Sequence, residues 1–225
     1  MEKLAGIRAC VFDAYGTLFD VASPVAKLAS EIGPHADDIS RLWRQKQLEY
    51  SWLRSLMGVH ADFWHVTGDA LDYALEQHNV SEPGLRDELL ALYLKLDAYE
   101  EVADALAAVK AKSKITAILS NGSPSMLDAA VRHAGLDKLF NMVLSVEDVG
   151  IYKPSRRVYR HAMQKLQIHE APSVCFVTSN TWDSAGAANF GFQVVRVDRF
   201  GLKDDRLPGK PVALLKDLGG LAAIV

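Results

Sequence analysis

Ala9-Cys10-Val11-Phe12 runs without a polar side chain into Asp13, and Ala14-Tyr15-Gly16-Thr17-Leu18-Phe19-Asp20 follows at once. A short apolar run that ends in a carboxylate and then in a Gly-Thr turn reads as a buried parallel strand delivering one acid to a sheet edge. Open α/β sheets carry their chemistry beyond the carboxyl ends of such strands. Tyr15, two residues after the acid, is not itself an acid, and that choice bears on the chemistry below.

From residue 101 onward, strand-like runs alternate with helical ones. Val102, Ala105, Leu106 and Val109 give 101–112 a helical period, and Ile115-Thr116-Ala117-Ile118-Leu119 follows as a buried strand. Ser123 and Pro124 suit a helix start, and Gly135 suits its end, with Arg132 and His133 in the last turn. Strands are predicted at 142–145, 173–178 and 192–197, and helices at 156–166 and 184–190. This alternation predicts an α/β protein with a Rossmann-like parallel sheet covered by helices.

Residues 21–97 read differently. Four helices are predicted, over 24–32, 37–57, 61–79 and 83–96, punctuated by Pro34, Gly58 and Pro83-Gly84. So long a helical stretch is too much for one crossover. The expected architecture is a Rossmann-like catalytic core, residues 1–20 and 98–225, with an inserted all-helical cap over the carboxyl edge of the sheet.

The chain has 225 residues, 49% of them apolar and 24% charged, with a net charge of −3. That balance offers no basic footprint for nucleic acid and no polybasic membrane patch. Residues 1–10 lack an apolar stretch of signal length, and no run approaches the ~20 apolar residues of a membrane span. Cys10 and Cys175 both fall in apolar strands and read as buried, unpaired thiols, so a cytoplasmic protein is expected. His60 and His65 are off-register for a shared metal, and none of the seven histidines is assigned a role.

Parallel neighbours bring strand ends together, so Asp13, Ser120-Asn121, Lys153, and Thr178-Ser179-Asn180 with Asp183 should converge in one crevice. Asp-Ala-Tyr-Gly-Thr-Leu-Phe-Asp (13–20), Leu-Ser-Asn-Gly (119–122), Tyr-Lys-Pro (152–154) and Ser-Asn-Thr-Trp-Asp (179–183) resemble the motif set of the haloacid dehalogenase superfamily. Within it, the chain resembles the L-2-haloacid dehalogenase branch, which the segment Leu42 to Trp52 also matches.

The resemblance implies hydrolysis of short-chain L-2-haloalkanoic acids to D-2-hydroxyalkanoic acids, with inversion, no metal or other cofactor, and a homodimer. Asp13 would be the nucleophile, forming an ester on the enzyme. Thr17 would orient its carboxylate, and Lys153 beside it would keep it ionised. Arg44 and Asn180 would receive the halide. Ser120 and amides around Tyr15 and Asn121 would hold the substrate carboxylate, although Ser120 also suits a helix cap. Tyr159 would bond the charged cluster, and Thr178 would add a hydroxyl.

Gln45, Leu48, Tyr15, Phe63 and Trp182 would line an apolar wall, and the aromatics equally suit core packing. Asp183 would direct water at the ester, and it also stands where it can cap the following helix. Thr178 replaces the branch's usual Ser, and Ser155 its common Asp. A magnesium-dependent phosphohydrolase is the competing reading on the same fold. Such enzymes place an acid two residues after the nucleophile to protonate the leaving group, where this chain has Tyr15.

Overall fold

The computed structural model describes residues 3–225; Met1 and Glu2, counted with the core above, lie outside the described residues. Six parallel strands form one sheet: β1 (Ala9–Phe12), β2 (Ile115–Ser120), β3 (Met142–Ser145), β4 (Val174–Thr178), β5 (Gln193–Val197) and β6 (Ala213–Leu215). Their spatial order is β3-β2-β1-β4-β5-β6. The central strands β1 and β4 are buried at every position, which is why they read as unbroken apolar runs.

The helices in chain order are α1 (Ser23–Lys27), α2 (Ala29–Ile32), α3 (Ala36–Met57), α4 (Phe63–Gln77), α5 (Leu85–Tyr93), α6 (Val102–Ala111), α7 (Pro124–His133), α8 (Arg156–Lys165), α9 (Thr181–Phe190) and α10 (Leu221–Ile224). The connections through α6 and α7 carry the sheet outward from β1 to β3, and those through α8 and α9 return to β4 and carry it the other way. Right-handed crossovers then set the two helix pairs on opposite faces. The strand order reverses between β1 and β4, so the crevice beyond their carboxyl ends is the topological switch point of the sheet.

Helices α1–α5 all precede α6. Their apolar faces close over Ile39, Trp43, Val66, Leu71 and Leu89, each nearly or fully buried. The two chain segments that join them to the sheet run side by side: Asp20 N donates to Asp97 O at 2.8 Å, and Tyr99 N donates to Leu18 O at 3.1 Å. Directly before them, the turn after β1 is locked by Leu18 N to Ala14 O at 2.8 Å, with Gly16 at φ +83°. A left-handed residue is needed there, and glycine accepts it without strain.

Three expectations need correction. The helix predicted over 24–32 breaks at Leu28, whose φ of −109° and ψ of 17° leave the α region and split it into α1 and α2. The fourth strand's helix starts at Thr181, not at 184, so Asp183 lies within its first turn. Strand β6 was not expected, because three residues are too short for an alternating or apolar pattern to register.

Ile118, fully buried in β2 beside β1, tests the sheet's role in stability. Ile118→Ala should cost about 2–5 kcal/mol in equilibrium urea unfolding. Leu202→Ala, at a residue 51% exposed, should stay within about 0.5 kcal/mol of the parent.

Candidate active site

Asp13 leaves β1 with its amide on Val177 O at 2.9 Å, so its carboxylate is delivered into the switch-point crevice, 4% exposed. Lys153 Nζ donates to Asp13 Oδ1 at 2.8 Å, and the other oxygen accepts from Thr17 Oγ1 at 2.8 Å and Asn180 Nδ2 at 2.7 Å. Thr178 Oγ1 stands farther off, at 3.4 Å from the same oxygen. The same ammonium donates to Asp183 Oδ2 at 2.6 Å and to Leu119 O at 3.1 Å, which uses all three of its protons. Tyr159 donates its hydroxyl to Asp183 Oδ1 at 2.6 Å. One buried cation is thus shared by two buried carboxylates.

The electrostatics follow from that sharing. Burial would lower the Lys153 pKa, but the charges of Asp13 and Asp183 and their hydrogen bonds outweigh it and hold it above the ordinary value. Burial pushes the Asp183 carboxyl up to about 6. Lys153 and the Tyr159 hydroxyl pull it down, and the charge of Asp13 pushes it up.

Asn180 occupies the cap position of α9, yet its side chain makes no capping bond and reaches back to Asp13 and to Tyr15 O at 3.0 Å. Asp183, in the first turn of the helix, does not cap it either; its negative charge is favoured near the positive helix end. Ser120 does not cap α7: its Oγ accepts from Gly122 N at 3.1 Å, leaving the hydroxyl proton to donate. Asn121 Oδ1 accepts from Lys153 N at 3.0 Å and fixes the loop that carries the lysine.

From the helical segment, Arg44 reaches the crevice, with Nη2 at 3.4 Å from both Tyr15 O and Asn180 Oδ1. Leu48 is half-buried, one turn further along α3. Tyr15 packs against Phe63 at 5.8 Å between ring centroids and stacks on Tyr93 at 5.6 Å. Its hydroxyl is buried without a hydrogen-bond partner. A Cβ on Gly122 would sit 2.6 Å from the Tyr15 ring, so only glycine lets the ring lie there. Trp182 lies 5.9 Å from Lys153 Nζ, measured to the ring centroid.

Gln45 departs from this arrangement. It is exposed, and its amide donates to Glu49 Oε1 at 2.6 Å on its own helix, sharing no hydrogen bond with the Asp13 cluster. The glutamine bonded to Arg44 is Gln47, which the sequence did not single out. It is 1% exposed; its Oε1 accepts from Arg44 Nη1 at 2.7 Å, while its Nε2 donates to Thr67 Oγ1 at 2.8 Å. Tyr93 OH closes the same network at 3.1 Å. The signal was present: Ala36, Ile39, Trp43, Gln47 and Ser51 form one buried stripe, and a glutamine on such a stripe needs polar partners. Ser179 was also undervalued, since its amide donates to Thr17 Oγ1 at 2.9 Å and its hydroxyl to Gly16 O.

The donor set does not suit a divalent cation. All four oxygens of Asp13 and Asp183 are engaged by Lys153, Thr17, Asn180 and Tyr159, and the lysine ammonium fills the place between the carboxylates. Tyr15 beside them contributes an aromatic ring and no further carboxylate.

A parallel sheet with a strand-end aspartate, a buried lysine and a second aspartate at its switch point defines a hydrolase class, and the model for haloacid dehalogenase-like hydrolases matches residues 7–191. The chain belongs to that family. It is 48% identical over 196 residues to (S)-2-haloacid dehalogenase 4A of Burkholderia cepacia, covering 87% of this chain and 84% of that protein. To (S)-2-haloacid dehalogenase 1 of Pseudomonas sp. (strain CBS-3) it is 50% identical over 194 residues, covering 86% and 85%. The structure of L-2-haloacid dehalogenase from Xanthobacter autotrophicus with chloropropionic acid covalently bound superposes with a TM-score of 0.89 at 38% identity, covering 96% of this chain and 97% of that one.

If Lys153 neutralises two buried carboxylates, Lys153→Met leaves them facing each other uncompensated. Denaturant unfolding at pH 7.5 should then show a loss of about 3–5 kcal/mol. A loss under about 1 kcal/mol would mean that the charges are solvated in the native state.

Proposed function

We infer that this chain is an (S)-2-haloacid dehalogenase, converting short-chain L-2-haloalkanoic acids and water to D-2-hydroxyalkanoic acids and halide. The observation that carries the reading is the Lys153 ammonium held at 2.8 Å from Asp13 and 2.6 Å from Asp183. It provides an ionised nucleophile and, next to it, a second carboxylate able to serve water.

In the first step an Asp13 oxygen attacks C2 from the side opposite the halogen. The new C–O bond forms as the carbon–halogen bond breaks, and the configuration at C2 inverts. The bonding pair leaves with the halide, which needs polarised donors where its charge appears. Arg44 and Asn180 serve this, with Arg44 oriented by Gln47. Ser120 Oγ and amides around Tyr15 and Asn121 hold the substrate carboxylate, and Tyr15, Phe63, Leu48 and Trp182 surround the alkyl group.

In the second step water adds to the Asp13 acyl carbon, its proton passing to Asp183. The acyl C–O bond to the former substrate then breaks, the leaving oxygen takes back the proton held by Asp183, and the hydroxy acid departs with the water oxygen left on Asp13. Halide needs no proton to depart, and Asp183 returns one to the alkoxide of the second step, so neither step calls for a general acid at position 15. Tyr15 there argues against phosphate-ester hydrolysis, and the similar proteins are named haloacid dehalogenases. No step calls for a metal.

In this reading residues 21–97 act as a cap on a core of 1–20 and 98–225. Exposed Leu53, Leu56, Met57 and Tyr73 on α3 and α4 support a homodimer through the cap. Two buried, unbridged thiols, Cys10 and Cys175, fit a cytoplasmic enzyme. Among the described residues, no helix is long and apolar enough to cross a membrane.

Halide release should occur with L-2-chloropropionate and not with the D form, persist in excess chelator, and vanish in Asp13→Asn. Turnover of phosphate esters with magnesium instead would overturn the reading. Because Asp183 must be ionised to take a proton in the second step, which follows the irreversible loss of halide, kcat should fall on the acid side, with a midpoint below about 6 because esterification removes the Asp13 charge that raises the Asp183 pKa. Tyr159→Phe removes a hydrogen bond that favours the ionised form, so its midpoint should move to higher pH.

A further inference from the structure

Trp52 is the residue near the crevice to which the mechanism gives no task. It lies on α3 one turn beyond Leu48 and two beyond Arg44, so the three side chains share one face of the helix. Both ends of that face are fixed on the sheet side. Arg44 Nη2 stands 3.4 Å from Asn180 Oδ1, and Ser55, in the next turn after Trp52, accepts from Tyr152 N at 3.1 Å through its Oγ. Between those two anchors the Trp52 ring meets Trp182 edge to face, with centroids 5.3 Å apart and an interplanar angle of 75°. Trp182 itself lies between Asn180 and Asp183 in the chain and over Lys153.

Two features separate this pair from ordinary packing. Leu48, Trp52 and Trp182 are all half-buried and stand outside the main apolar core. Both indole nitrogens are shut from solvent without a hydrogen-bond partner, whereas a buried indole N–H is usually paired. Local rules are broken in this way mainly where a site sets the geometry.

The substrate's own shape supplies the rest. With Asp13 opposite the halogen, the halide at Arg44 and Asn180, and the carboxylate at Ser120, two positions on C2 remain, one for its hydrogen and one for its alkyl substituent. An alkyl group needs an apolar boundary, and Leu48 with the tryptophan pair offers one.

We propose that Trp52 is a specificity-determining residue, its indole forming with Trp182 the end wall that limits the length of the 2-haloacid's alkyl chain. The proposal rests on the dehalogenase reading. One half of the wall comes from the helical segment and the other from α9, so the limit is set only when the two are together. An indole pair is a stiff boundary; a longer chain must displace a ring and cannot bend around it.

The test is kcat/KM for L-2-chloropropionate and L-2-chlorohexanoate in the parent, Trp52→Phe, Trp52→Leu and Trp52→Ala. A methylene admitted or refused by an apolar pocket is worth about 10-fold or more. The ratio of long to short substrate should therefore rise at least about 10-fold in Trp52→Ala and less in Trp52→Phe. If the pair only fastens the helical segment to the core, both substrates lose by the same factor and the ratio stays within about twofold, which overturns the proposal. Should Trp52→Ala not fold, Trp52→Leu and Trp52→Phe decide it by the same ratio. A parent inactive on L-2-chloropropionate would instead remove the dehalogenase reading, and this proposal with it.

Discussion

A lysine ammonium 1% exposed to solvent, held between two aspartates, is the constraint around which the rest of the molecule is arranged. Removing these ions from water costs several kcal/mol each, and their attraction repays it only where every hydrogen-bonding position is satisfied. Here it is: Lys153 spends its three protons on Asp13, Asp183 and Leu119 O, and the remaining carboxylate oxygens take Thr17, Asn180 and Tyr159. A stable core would not need such a cluster, since apolar residues of similar volume would serve at no cost in desolvation. Its presence is best understood as a cost accepted for chemistry.

The fold's contribution is to make that satisfaction possible from three strand ends and one loop. Parallel strands deliver Asp13 just past β1, Ser120 and Asn121 at the end of β2, and Thr178 to Asn180 at the end of β4, beside the point where strand order reverses. Lys153 enters on the loop before α8, tied down by Asn121. The helical segment adds what the sheet lacks, a guanidinium opposite the nucleophile, held in place by Gln47, Thr67 and Tyr93.

Much of this was legible in the residues. Parallel strands buried on both faces must be continuously apolar, so β1, β2 and β4 announced themselves, and the polar residue ending each run announced the crevice. The Lys153 and Asp183 partnership follows once those strands are neighbours. What escaped depends on side-chain direction or on small local energies. Helical spacing puts Gln47, three residues on, beside Arg44 and on the buried stripe that continues from Ile39 and Trp43, whereas Gln45 is the next residue after Arg44 and faces away. The break at Leu28 carries no proline or glycine to mark it. Strand β6 owes its existence to pairing with β5 rather than to its own three residues. Asp183 looked like a helix cap because the start of α9 was read three residues late, and helix ends are soft in any sequence reading.

The proposed chemistry turns on a covalent bond between substrate and Asp13. Its most direct test is turnover of L-2-chloropropionate in heavy-oxygen water, followed by mass spectrometry of the peptide containing Asp13 and of the product. The account predicts unlabelled lactate in a single turnover with excess enzyme, and oxygen-18 in the Asp13 carboxylate. Label appearing in the lactate of that first turnover, with Asp13 unlabelled, would mean that water displaces the halide directly, and would contradict it.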